Sequence, residues 1–212
     1  MEMANQVSSR QGALRLTGCC FALALACLFA QPASAAVIHS GTFADDGSSP
    51  DTAPDTFNLT NDAASDENIL MVVIDLTTAA DAGTVFNTAG GGSFPFSATL
   101  AEQTEVGFVS AVVGGGLKTL TLTFNDFQAG ETFTFTIDLD DSPPGAAIVQ
   151  GTSIANSQVT ATFAITGAVT AVMANSGGDT ANWSASAVPE PNTLALLGLG
   201  LTGLAWGGRR RR

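Results

Sequence analysis

The chain has 212 residues, of which 45% are hydrophobic and only 12% charged, and it carries a formal net charge of −12. With 19 Asp and Glu against 7 Lys and Arg, nucleic acid is excluded as a partner, because binding it depends on basic side chains that neutralise phosphates. Every basic residue except Lys118 lies near one of the two ends, so the ends and the middle are read separately.

Arg10 and Arg15 precede an apolar segment from Cys19 to Ala30, and Ala33-Ser34-Ala35 places small residues where a signal peptidase needs them. Residues 1–35 are therefore expected to be a signal peptide, cleaved after Ala35 with Ala33 and Ala35 as the recognition positions. Leu16-Thr17-Gly18-Cys19 precedes the apolar segment instead of following it, which argues against a lipoprotein. The three cysteines, Cys19, Cys20 and Cys27, all fall within this leader. The mature chain is then free of thiols and disulfides, and its stability has to come from packing.

Between the ends the hydrophobic period is two. Val37 to Phe43 reads as a first strand, followed by the acidic, turn-rich loop Asp45 to Asp55. Ile69 to Leu76 is a nearly continuous apolar strand, and Phe94 to Leu100 and Val106 to Val113 read as shorter ones. Leu120, Leu122 and Phe124 alternate with threonines, as do Phe133, Phe135 and Ile137, with Leu139 following Asp138. These two runs are expected to pair as a hairpin across the connector Asn125 to Glu131. Val159, Ala161, Phe163 and Ile165 repeat the pattern, with Ala168 to Met173 as a partner strand across Gly167. No amphipathic helical stretch is evident. The expected fold is all-β: an antiparallel sandwich of about eight to ten strands, jelly-roll-like or immunoglobulin-like, occupying residues 36–187 as one domain.

That body retains 17 acidic residues against Lys118 alone, a net charge of −16. Such a surface attracts divalent cations and keeps a secreted protein soluble. For catalysis it offers one histidine, His39, no cysteine and no tyrosine. A nucleophilic triad would have to use His39 close to the mature end, and the plain reading is a solvated strand histidine. Gly114 to Thr119 brushes against a phosphate-binding loop but has Leu117 where the motif needs glycine, and a strand follows it instead of a helix. Asp138 and Asp140, two apart on a strand, share a face, and Asp141 follows at its end. The three carboxylates are candidate calcium ligands, with a further acidic loop, Asp45 to Asp55 or Asp62 to Glu67, completing the shell. The alternative is that they are solvated edge charges that oppose aggregation. Asp126 lies at the far end of the expected hairpin and is left out. Trp183 is the one tryptophan of the body, too few aromatics for the usual sugar-stacking platform.

At the C-terminus, Pro189-Glu190-Pro191 is followed by sixteen uncharged residues, 193–208, and then Arg209, Arg210, Arg211 and Arg212. The apolar stretch, with Leu194, Leu196, Leu197, Leu199, Leu201, Leu204 and Trp206 as its membrane-facing residues, reaches roughly 24 Å as a helix, short of a ~30 Å bilayer core. Snorkelling arginines relieve part of that mismatch and, by the positive-inside rule, stay in the cytoplasm. This order of elements resembles the PEP-CTERM sorting signal of Gram-negative bacteria. The resemblance implies that residues 188–212 are a sorting signal read by an exosortase, a membrane-embedded cysteine protease, with Pro189, Glu190 and Pro191 as recognition residues. It implies export, an inner-membrane-anchored precursor, and a mature form in the cell envelope, at the cell surface or in the extracellular matrix. Carriers of the signal are often associated with exopolysaccharide and biofilm. The expected protein is non-catalytic, with a structural or adhesive role and no required cofactor. The second reading is a calcium- or polysaccharide-binding module.

Overall fold

The structure is a computed structural model that describes residues 36–45, 53–87, 95–141 and 149–187. The described strands are β1 (Ala36–Ala44), β2 (Thr56–Asn61), β3 (Ile69–Asp75), β4 (Thr84–Asn87), β5 (Phe108–Gly114), β6 (Thr119–Phe127), β7 (Thr132–Thr136), β8 (Asp138–Asp141), β9 (Gln158–Phe163), β10 (Gly167–Val172), β11 (Ala174–Gly177) and β12 (Thr180–Ala187). One six-residue helix, α1 (Leu100–Glu105), precedes β5. Sheet A has the order β11-β12-β1-β2-β7, sheet B the order β10-β9-β3-β6-β5, and β4 and β8 form a two-stranded ribbon. All these pairings are antiparallel. The body is an all-β sandwich, as the period-two alternation predicts.

One core is filled from both sheets. Across sheet A the inward rows are Phe135, Phe57, Phe43 and Ala181, then Phe133, Leu59, Gly41 and Trp183. Sheet B contributes Ile74 between Leu120 and Val159, and Val72 between Leu122 and Ala161. These positions are buried because alternate side chains of a strand point to one face. The opposite faces carry Thr, Ser and Asn, some of them bonded across strands: Thr60 to Thr132 at 3.0 Å, Thr134 to Asn58 at 2.8 Å and Thr160 to Thr170 at 2.8 Å.

Three expectations are corrected. The runs around Leu122 and Phe135 do not form a hairpin ladder: β6 pairs with β3 and β5 in sheet B, whereas β7 pairs with β2 in sheet A. Their connector crosses from one sheet to the other, and both strands turn apolar residues to the shared core. The second run is also not one strand, because the chain leaves sheet A at Ile137, whose N–H donates to the Asp55 carbonyl, and continues as β8. The expected strand to Leu100 is limited to a single bridge between Ser97 and Thr136, with Phe94 outside the described residues. At Thr99 a capping box takes over: its hydroxyl accepts from the Glu102 N–H, while the Glu102 carboxylate accepts from the Thr99 N–H. That reciprocal pairing starts α1.

The hairpin across Gly167 forms as expected, with β10 antiparallel to β9 and Gly167 at φ +80°. Ile165 sits in its turn, 87% exposed, and not in the strand. Beyond Met173 the chain passes from sheet B into β11 of sheet A; Met173 is fixed by its N–H to the Ser157 carbonyl and its own carbonyl to the Asn156 N–H.

Candidate functional site

The β4–β8 ribbon gathers the acidic residues singled out in the sequence. Its register pairs Thr84 with Asp141, Val85 with Asp140, Phe86 with Leu139 and Asn87 with Asp138. Phe86 and Leu139 enter the core, which leaves Asn87, Asp138 and Asp140 together on the other face of the ribbon. That face is not solvated: Asp138 is 1% and Asp140 7% exposed. The reading of these two as solvated edge charges therefore fails, and β8 is an edge of neither large sheet.

Asp55, the last residue of the acidic loop, is buried as well, and its Oδ2 accepts from the Leu139 N–H at 2.9 Å. Asn87 donates its amide to Asp140 Oδ2 at 2.5 Å. Buried carboxylates need such donors, because a desolvated oxygen without one costs on the order of 1–3 kcal/mol. Lys118 turns elsewhere, donating to the carbonyls of Ala82 and Thr84 at the start of β4. Asp126 is exposed and bonded to Gln128, apart from the ribbon. Of Asp141 the structure gives the strand pairing. Among the described residues, no group of three or more His, Cys, Asp or Glu is arranged to hold a metal ion.

The second acidic loop serves another end of the sandwich. Glu67 accepts from the Thr166 hydroxyl at 2.6 Å and from the N–H groups of Ile165 and Thr166 at 2.8 and 3.0 Å. The Thr166 hydroxyl first, then its N–H and that of Ile165, hold the Glu67 carboxyl below its ordinary range. The loop thus clamps the β9–β10 turn.

His39 contradicts the expectation of a solvated strand histidine. It is fully buried on β1, where its Nε2 donates to the Val169 carbonyl of β10 at 3.0 Å, a bond from one sheet to the other. Nδ1 is buried with no partner among the described residues. Burial therefore lowers the His39 pKa below 6.5, outweighing the bond to Val169 that favours the charged form. Above 6.5 the ring is neutral in both folded and unfolded chains, and stability is at its full value. As the pH falls from 6.5 towards the lowered folded value, only the unfolded chain takes up the proton and stability declines, by at most about 1.4 kcal/mol per pH unit. His39 is the only histidine in the chain, so a urea titration series should show that slope in the wild type and lose it in His39→Gln.

The sorting residues Pro189, Glu190 and Pro191, the apolar stretch with Trp206, the four arginines and the cleavage positions Ala33 and Ala35 lie outside the described residues. Among those described, no helix is long and apolar enough to cross a membrane. Ala36 and Ala187, the first and last described residues, pair with each other at the end of the β1–β12 ladder.

The last described strand ends at Ala187 and is followed in sequence by an apolar stretch closed by four arginines, the composition of a C-terminal sorting signal. The family model of the PEP-CTERM protein-sorting motif matches residues 187–212, which supports an extracellular protein sorted by exosortase from a membrane-associated precursor. No curated protein and no solved structure matches the chain.

Proposed function

We propose that this chain is the precursor of a non-catalytic structural or adhesive protein of the cell envelope or extracellular matrix. A signal peptidase removes the leader at Ala35, the segment 193–208 holds the precursor in the inner membrane with its arginines in the cytoplasm, and exosortase processes it at Pro189-Glu190-Pro191. Exopolysaccharide of the biofilm matrix is the partner this reading names. The observation that carries it is the sorting motif at 187–212, contiguous with the last strand of the sandwich. The burial of His39, the one histidine, favours a structural over a catalytic role.

Intact mass of the protein extracted from the envelope tests the reading directly. The expected species starts at Ala36 and has lost its tail, and Glu190→Ala accumulates a tail-bearing form in the inner membrane. An untrimmed chain in the cytosol overturns it, and turnover abolished by His39→Ala would make the protein a hydrolase.

A second reading is calcium binding at the ribbon, where Asp138 and Asp140 share one face of β8; since the described residues do not by themselves make a metal site, further ligands would have to come from the acidic loop Asp45 to Asp55, most of which lies outside them. Extracellular calcium modules bind weakly, at about 10⁻⁴–10⁻³ M, so the ion would stiffen the fold. Calorimetry and thermal shift with calcium should then show binding that Asp140→Asn removes; no heat and no shift would leave the structural role alone.

A further inference from the structure

His39 stands in the middle of sheet A, in a row between Asn61 of β2 and Ala185 of β12. From sheet B it meets β10, whose Val169 carbonyl accepts the Nε2 proton, and the ring of Phe163 on β9, 6.3 Å away. The two sides are unequally anchored. β1 is hydrogen-bonded along both edges, whereas β10 is the outer strand of sheet B and, among the described residues, is laddered to β9 alone. β10 also buries little: Ala168, Thr170 and Val172 are exposed, Gly167 and Val169 half-buried, and the small Ala171 is its one buried side chain. Its ends are better held. The Glu67 carboxylate clamps the turn before it, and Met173 is bonded to Ser157 and Asn156 after it.

No charge faces His39 to receive a protonated ring. β1, β2, β9, β10 and β12 contain no Asp, Glu, Lys or Arg. In the neighbouring loop Asp62 reaches β1 through its N–H to the Ile38 carbonyl, while its carboxylate accepts from the Ala64 N–H. Asp66 is exposed, and Glu67 is committed to the turn. The Asn61 amide is occupied as well, donating to the carbonyls of Glu67 and Phe127. A second proton on the ring therefore has to meet water, because a buried ion without a partner is strongly disfavoured. The strand bonded on one side gives way at least cost.

We propose that His39 is an acid-operated latch on β10: protonation of its ring swings β10 off the sandwich between Gly167 and Met173, while sheet A keeps its ladders. Gly167, at φ +80° with open space around it, is the hinge at the turn end. In the closed protein the ring is neutral; once β10 has left, it titrates as in solvent, near 6.5. Above that pH the latch is shut, and below it the open population grows by at most about tenfold per pH unit. Glu67 stays ionised through this window, its carboxyl being held below the ordinary range, so the turn remains clamped and the opening is confined to the strand.

Hydrogen exchange read by mass spectrometry, on the protein purified from the cells that produce it and scaled to the intrinsic rate at each pH, tests the latch. Between about pH 7.5 and 5.5 the protection of 167–172 should fall by up to about tenfold per pH unit below 6.5, while β1, β2 and β12 keep theirs. In His39→Gln the protection of β10 should be independent of pH. Glu67→Gln should loosen β10 by the same factor at every pH and leave the slope unchanged. The comparison of β10 with β12 within the wild type depends on no variant. Equal losses in β10, β1 and β12 would mean that the whole body unfolds to admit the proton, and overturn the proposal. So would β10 protection that is flat with pH in the wild type, or a slope that survives in His39→Gln and vanishes in Glu67→Gln.

Discussion

Gly41→Val should cost about 3 kcal/mol or more and lower the melting temperature by roughly 6–12 °C, at about 2–4 °C per kcal/mol for a body of this size. Gly41 lies on β1 between Leu59 of β2 and Trp183 of β12, in a row where its neighbours are large. A Cβ at this position would stand 2.7 Å from Trp183 Cε2 and closer still to Trp183 Cζ2 and to the Asn58 carbonyl oxygen. Neither obstacle can yield cheaply. The indole is 4% exposed within the core, and the Asn58 carbonyl belongs to β2, where the Asn58 side chain is tied to Thr42 and Thr134 on the far face. Overpacked side chains of this kind force off-rotamer geometry and strand displacement. Calorimetry of wild type, Gly41→Ala, Trp183→Leu and the double variant closes a cycle in which the double variant is less destabilised than the sum of the two. A Gly41→Val melting point within a degree or two of wild type would mean that Trp183 does not lie across β1.

The sequence carries the burial pattern of this fold better than its neighbour relations. Alternation states which side chains of Leu120 to Phe124 and Phe133 to Ile137 are inside, and both runs do face the core. It does not state which strand lies beside which, because in a sandwich two consecutive strands have the same inward pattern whether they share a sheet or oppose one another. The hairpin expectation failed for that reason, while the hairpin at Gly167 succeeded because a connection of three residues leaves no room to cross. Strands with weak contrast were invisible: β4 is buried at all four positions, β11 is exposed at all four, and β12 places small Ala181 and Ala185 inward around Trp183. The helix α1 was hidden by its brevity, although Thr99 and Glu102 stand at capping-box spacing.

The candidate site was legible in its parity and illegible in its environment. Asp138 and Asp140 share a face because they are two apart, and Asp55 from the acidic loop does reach the same segment. Their burial depends on the departure of the chain from sheet A at Ile137, which no local pattern announces. His39 follows the same logic: its place on β1 is readable from the sequence, yet a polar residue near the expected mature end reads as solvated until the partner carbonyl of Val169 is seen across the core. The sorting motif needed no fold at all, because an exosortase substrate is recognised by a contiguous stretch of chain.

Phe133→Ala should be among the most damaging single truncations in the body, costing about 3–5 kcal/mol. Phe133 is fully buried on β7 of sheet A, and its ring meets Phe108 at 5.3 Å and Phe124 at 5.4 Å, both from sheet B. It also lies 5.5 Å from Phe135 and 6.5 Å from Phe96. Removing it takes away a large apolar surface and the aromatic contacts that join the two sheets, which add about 0.5–1.5 kcal/mol per pair beyond area. The void cannot collapse, because its walls are held in separate hydrogen-bonded ladders: β7 to β2 on one side, β6 to β3 and β5 on the other. A cost at the upper end of the range follows from that rigidity, since the penalty grows with the volume the surroundings fail to fill. Denaturant unfolding should show the midpoint falling with little change in slope, and Phe133→Leu should recover about half of the loss. Phe96→Ala, at a half-buried ring on the same cluster, should cost clearly less, and Ile165→Ala, at an exposed turn, should lie within about 0.5 kcal/mol of wild type. If Phe133→Ala and Ile165→Ala proved equally mild, the two sheets would not be joined through this cluster.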